Sequence, residues 1–109
     1  LFPYTTLFRS GLILIPERGV WEFMTKSDDG SVLTIGDRKV VDNDGSHASV
    51  MATGRVALEA GLHPYTLLYF EDYEGQDFSW GWKAPGAEGF EAIPEANLRM
   101  TDFRGISFD

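Results

Sequence analysis

The stretch Ser27-Asp28-Asp29-Gly30-Ser31 holds the densest potential chemistry in the chain. Two side-by-side carboxylates are flanked by serines and a glycine, the residue types of a tight turn. Two other polar stretches carry similar material. One is Asn43-Asp44-Gly45-Ser46-His47, and the other is Glu71 to Gln76, which sets Tyr73 between Asp72 and Glu74. A glycosidase built on paired acids needs carboxyls about 5–9 Å apart across a cleft. Asp28 and Asp29 share one turn and cannot flank a bond from opposite sides. No nucleophile, base and orienting group can be read together elsewhere, so the chain reads as a non-enzyme. His47 and His63 show neither metal-ligand spacing nor a third ligand. Structural roles suit them better, although Ser46 and His47 could line a pocket beside the acidic turn.

The composition narrows the partners. At 109 residues the chain is one domain, large enough for a single core. Its hydrophobic content of 43% and aromatic content of 14% suit a globular protein. A net charge of −8 argues against nucleic acid, because phosphates would be repelled instead of releasing counterions. The longest apolar run, Gly11 to Pro16, is strand length and far short of the ~20 residues a membrane helix needs, so membrane insertion is not expected. There is no cysteine, which excludes disulfides and thiolate metal sites.

The opening Leu1 to Ser10, LFPYTTLFRS, differs from the rest. It lacks the alternation seen later and resembles a translated sequencing adapter of the kind that ends metagenomic reading frames. It is set aside from fold reasoning as a non-native segment, with the first strands of the domain, and any signal sequence, expected to be missing.

What must position the polar stretches is a series of short strands. Leu12 to Ile15 is an apolar strand stopped by Pro16. Val20 to Lys26 alternates, with Trp21, Phe23 and Thr25 on one face and Glu22, Met24 and Lys26 on the other. Val32 to Ile35 resumes, with Leu33 and Ile35 inward. Gly36-Asp37 suits a two-residue type II′ hairpin, and Lys39 to Asp42 returns. Arg55 to Leu58 turns Val56 and Leu58 inward. Tyr65 to Phe70 is the most β-prone run, and Phe78, Trp80 and Trp82 alternate with small residues. Core packing is the better reading for all three tryptophans. No apolar pattern of helical period persists over three turns. Strands recurring every 8–12 residues or so predict an all-β fold, an antiparallel β-sandwich or barrel. Leu98 and Met100 suggest a final edge strand, and 101–109 a tail or the start of a linker.

Seven motifs then fall in one order: Gly19-Val20-Trp21-Glu22-Phe23, Ser27-Asp28-Asp29-Gly30-Ser31, Val41-Asp42-Asn43-Asp44-Gly45, Ala60-Gly61-Leu62-His63-Pro64, Tyr69-Phe70-Glu71, Trp82-Lys83-Ala84-Pro85-Gly86 and Ile93-Pro94. Together they resemble the domain named after the N-terminal piece of anthrax-toxin protective antigen. That module also occurs in flocculins and adhesins, and beside bacterial glycoside hydrolases. The resemblance spans 11–100. It implies a β-sandwich of barrel-like shape, here with an unpaired sheet edge and a partly uncovered core where the first strands are lacking.

In the sugar-binding members, two adjacent aspartates joined by a cis peptide hold a calcium ion that grips sugar hydroxyls. Asp28-Asp29 sits where that pair would sit, and calcium favours several hard oxygen ligands. Those members take a further Asn from a later loop. Here Ala84 to Ala92 offers only Glu88 and Glu91, and Asn43 stands in a different stretch as a metal-ligand candidate. Two readings of Asp28-Asp29 remain open: a calcium site, or a plain turn whose carboxylates bond nearby N–H groups. Tyr73 is the available exposed aromatic for stacking on a sugar ring, or else an anchor packing back on the sheet.

The function expected from the resemblance is a noncatalytic carbohydrate-binding module. It would bind glycan with or without calcium, within a secreted or cell-surface bacterial protein that carries neighbouring domains. The rival expectation is a structural spacer or protein-interaction domain with no sugar site of its own.

Overall fold

The computed structural model describes residues 4–27, 30–43, 50–72 and 78–108. They form β1 (Tyr4–Ile15), β2 (Gly19–Ser27), β3 (Gly30–Ile35), β4 (Arg38–Asn43), β5 (Val50–Leu58), β6 (Gly61–Asp72), β7 (Phe78–Lys83), β8 (Glu91–Ala92) and β9 (Leu98–Phe108), with a short 3₁₀ turn at Glu95–Asn97. One sheet has the order β4-β3-β6-β1-β9 and the other β5-β2-β7-β8. Every pairing is antiparallel. The result is the all-β sandwich that the alternation predicts.

The period-2 faces land where a half-buried strand must put them. Along β2, Trp21, Phe23, Thr25 and Ser27 are buried while Glu22 and Met24 are only partly so. Leu33 and Ile35 of β3, Val56 and Leu58 of β5, and Tyr65 and Leu67 of β6 complete the core. Trp21 and Trp82 meet with ring centroids 4.7 Å apart, and Phe23 lies 6.3 Å from Trp82. Trp80 is half-buried and packs on Tyr65 at 5.5 Å. All three tryptophans are therefore packing residues.

Three expectations are revised. First, the tight turn expected at Ser27 to Ser31 does not join neighbouring strands. β2 and β3 lie in facing sheets, β2 pairing with β5 and β7 and β3 with β4 and β6. The acidic stretch between them is, in topology, an arch that links one sheet to the other. The three Cα steps from Ser27 to Gly30 reach about 11 Å at most, close to the ordinary spacing of packed sheets.

Second, the strand expected to begin at Leu12 starts at Tyr4, so Tyr4 to Ser10 of the adapter-like stretch lie within β1. Instead of leaving an open edge, β1 is paired on both sides, with β6 and with β9. Third, the last strand does not stop near Met100. It runs to Phe108, with Tyr4 opposite Phe108. The same force acts in both places, since backbone N–H and C=O groups require partners and each segment supplies the other's.

Two glycines let the chain close. Gly36, at φ 64, occupies the left-handed region that the β3–β4 hairpin turn requires, and its N–H donates to Pro64 O at 2.8 Å. On β5, Gly54 faces the β4 backbone. Thr34 pairs with Lys39 and Leu33 with Val41, which leaves Val40 as an extra, bulged residue. A Cβ on Gly54 would overlap the Val40 carbonyl oxygen. Here the edges of the two sheets touch backbone to backbone, which gives the sandwich its barrel-like seam.

Gly54→Ala should therefore cost about 2–3 kcal/mol, the upper part of the overpacking range, because backbone and not a flexible side chain must yield. Gly89→Ala, where nothing lies within 4 Å, should change stability by less than about 0.5 kcal/mol. Urea denaturation midpoints of the two variants would check the contrast.

Candidate functional site

The three polar stretches fall between strand ends that share one end of the sandwich. Ser27, which closes β2, pairs with Val50, which opens β5, and with Phe78, which opens β7. Ser31 pairs with Asn43, the last residue of β4, and Gly30 pairs with Phe70 near the end of β6. The connections 28–29, 44–49 and 73–77 therefore all leave from this end. Asp28, Asp29, Ser46, His47 and Tyr73 sit on those connections, outside the described residues. Topology brings together the strand ends that flank these three segments, which sequence distance alone does not.

Asn43 is the one candidate among the described residues, and it lies inside the protein. It is 6% exposed, and its Nδ2 faces Thr25 O at 3.4 Å and Ser27 Oγ at 3.5 Å. Ser27 Oγ lies 2.9 Å from Ser31 Oγ, and Ser31 Oγ donates to Thr25 Oγ1 at 2.9 Å. A hydroxyl has one hydrogen. Ser31 spends its hydrogen on Thr25, so Ser27 donates to Ser31 and accepts from Asn43. Thr25, Ser27 and Ser31 are all at most 1% exposed. The inner end of the acidic arch is thus a closed polar chain, Asn43 to Ser27 to Ser31 to Thr25. Its signal was in the sequence: Thr25 and Ser27 continue the inward phase of Trp21 and Phe23, and Ser31 that of Leu33 and Ile35.

The loop 84–90 lies toward the other end, and Glu91 stands at mid-strand opposite Trp82, which itself pairs with Phe23. Gly19 is so close to Pro85 that a Cβ there would meet the proline ring, and Gly19 is about 27 Å along β2 from Ser27 at ordinary strand rise. Glu91 accepts a hydrogen bond from Trp82 Nε1 at 3.1 Å. Glu88 and Glu91 are therefore not companions of the acidic arch, and the segment beside it after β6 is 73–77. His63 lies at this far end too, with Nε2 2.7 Å from Glu59 O. Among the described residues no group of three or more His, Asp or Glu side chains is placed to hold a metal ion.

Among the described residues, the groups whose ionisation the fold shifts stand away from the arch. Burial pushes the Tyr65 hydroxyl up, opposed by the positive charge of Arg9. The hydroxyl has no hydrogen-bond partner among the described residues. On the outer face of the second sheet, a hydrogen bond from Lys83 holds the Glu22 carboxyl below its ordinary 4.5; burial opposes this, and the charges of Lys83 and Arg55 add to it. Lys83 Nζ is 3.0 Å and Arg55 Nε 3.8 Å from Glu22 Oε1.

Because the folded-state value is lowered, Glu22 stabilises the fold above the unfolded carboxyl's value and loses that effect as pH falls through the folded one. Urea midpoints of the protein and of Glu22→Gln should differ at pH 7, with the variant weaker, and the difference should shrink as pH falls through the lowered folded-state value. Removing the unpartnered hydroxyl in Tyr65→Phe should leave stability unchanged or raise it by up to about 1 kcal/mol, read from the same titrations.

Comparison with known proteins places this geometry. The family model described as the PA14 domain matches residues 5–96, and no curated protein matches the chain. Among solved structures, the PA14 domain of the antifreeze protein MpAFP is 20% identical with a TM-score of 0.74, over 86% of this chain and 50% of that one. An anti-sigma factor domain-containing protein is 20% identical with a TM-score of 0.78, over 86% of this chain and 33% of that one. The PA14 sugar-binding domain from an RTX adhesin is 20% identical with a TM-score of 0.63, over 84% of this chain and 48% of that one. The chain thus spans half or less of the length of these structures.

Proposed function

We infer that this chain, which belongs to the PA14 domain family, is a noncatalytic carbohydrate-binding module whose ligand is held where 28–29, 44–49 and 73–77 leave the sandwich. The observation that carries the reading is that the strand ends flanking these three polar segments share one end of the sandwich, where the interior holds a buried polar chain. It is supported by the adhesin neighbour, whose name states sugar binding. A β-glucosidase from Kluyveromyces marxianus solved with glucose also shares the fold, at 17% identity and a TM-score of 0.66, over 76% of this chain and 11% of that one.

On this reading Asp28 and Asp29 supply carboxylate oxygens, directly to sugar hydroxyls or through calcium, which accepts such hard ligands readily. Tyr73 offers a ring face and His47 and Ser46 offer polar contacts. The module belongs to a secreted or cell-surface protein with further domains, among which a glycoside hydrolase is one candidate.

A second reading, a spacer or protein-interaction domain, draws on the antifreeze and anti-sigma-factor neighbours, whose names mention no sugar. A glycan array probed with and without calcium separates the two. Binding by the protein, weakened roughly tenfold or more (about 1.4 kcal/mol per factor of ten) in the double variant Asp28→Asn/Asp29→Asn at unchanged melting temperature, is the expected result. A silent array under both conditions favours the spacer.

A further inference from the structure

The polar chain beneath the arch has no explanation in stability alone. Thr25, Ser27, Ser31 and Asn43 are 0–6% exposed, in a sandwich otherwise filled by aliphatic and aromatic side chains. A buried hydroxyl is costly unless paired, and apolar residues of the same shape would fill the space without that cost. What hydrogen bonds add is direction and distance.

The chain joins positions that no backbone ladder joins. Ser27 and Thr25 belong to β2 in one sheet, and Ser31 and Asn43 to β3 and β4 in the other. Apolar contact between facing sheets is non-directional, whereas the 2.9 Å contacts between Ser27, Ser31 and Thr25 specify their relative offset at this end. Asn43 extends the link to the residue from which 44–49 departs.

We propose that Asn43, Ser27, Ser31 and Thr25 form a positioning network that locks Ser27 and Ser31, the residues on either side of the acidic pair, to Asn43 at the end of β4. A ligand bound at this end of the sandwich then meets strand ends whose spacing is preset and does not have to impose it. None of the four touches the ligand; they act through the residues they hold. The binding consequence rests on the carbohydrate-module reading, while the locking itself does not.

The test has two arms, on the full chain. The variant Thr25→Val/Ser27→Ala/Ser31→Ala removes every hydroxyl at once, so no hydroxyl donor is stranded, and Asn43 keeps its contact with the backbone oxygen of residue 25. Amide hydrogen exchange should rise at least tenfold at 27–31 and 42–44 while Trp21 and Phe23 stay within twofold. Exchange unchanged in both windows, or raised equally throughout, overturns the proposal. In the second arm, calcium alone and a glycan array are applied to both proteins. Where the unmodified protein binds either probe, the variant should bind at least tenfold more weakly, and equal affinity overturns the proposal. If the unmodified protein binds neither, the module reading falls and the exchange arm alone decides the network. Should the triple variant not fold, the isosteric Thr25→Val is read by the same exchange criterion.

Discussion

Phe23 is wholly enclosed between the two sheets, with Trp82 beside it and Trp21 beyond, and the architecture follows from keeping those rings dry. Aromatic side chains bury roughly 150–250 Å² each, so this cluster contributes a large share of the apolar burial. It also enforces register. A slip of one residue along β2 would send Trp21 and Phe23 to solvent and bring Glu22 and Met24 inward. No turn in the protein could offset that exchange, so the strand pairings on both sides of β2 are set by the same rings.

The interior changes character along its length. Near the aromatic cluster the sheets are held by apolar contact and by close backbone approach. Gly54 meets the bulged Val40 on one seam, and Gly19 meets Pro85 at the far end. Toward the arch the filling becomes hydroxyl and amide. Small polar side chains let the sheets come near enough for 2.9 Å contacts across the gap, and there two residues suffice to cross it. The polar interior and the shortness of the arch are two sides of one arrangement.

This division gives the two ends different work. At the Pro85 end, loops are tied down by side chains, as with Trp82 on Glu91 and Asn97 on Leu14 O at 2.8 Å. At the arch end, three polar connections rise from strand ends that neighbour one another. A fold shared by proteins of very different names carries its function in such connections and not in the sheets, which is why the carbohydrate reading rests on the arch end and the family membership on the whole sandwich.

Alternation determined the central strands, their inward faces and the packing role of the tryptophans, because a strand's faces have a period of two, while the extensions of the first and last strands came from their pairing with each other. The motif order pointed to the family for a related reason: turn residues occupy fixed places between those strands. Tertiary structure decided the rest. Whether Ser27-Asp28-Asp29-Gly30-Ser31 folds back as a hairpin or crosses between sheets depends on which distant strands take β2 and β3 as neighbours, and nothing in five local residues encodes that. Likewise Asn43 reads as a loop residue until pairing with Ser31 places it beneath the arch. Ala84 to Ala92, where the resemblance looks for a further Asn, follows β7, which runs away from the acidic pair, so Glu88 and Glu91 do not stand beside it. Long-range pairing sets distance in space, and distance decides which residues can share a ligand.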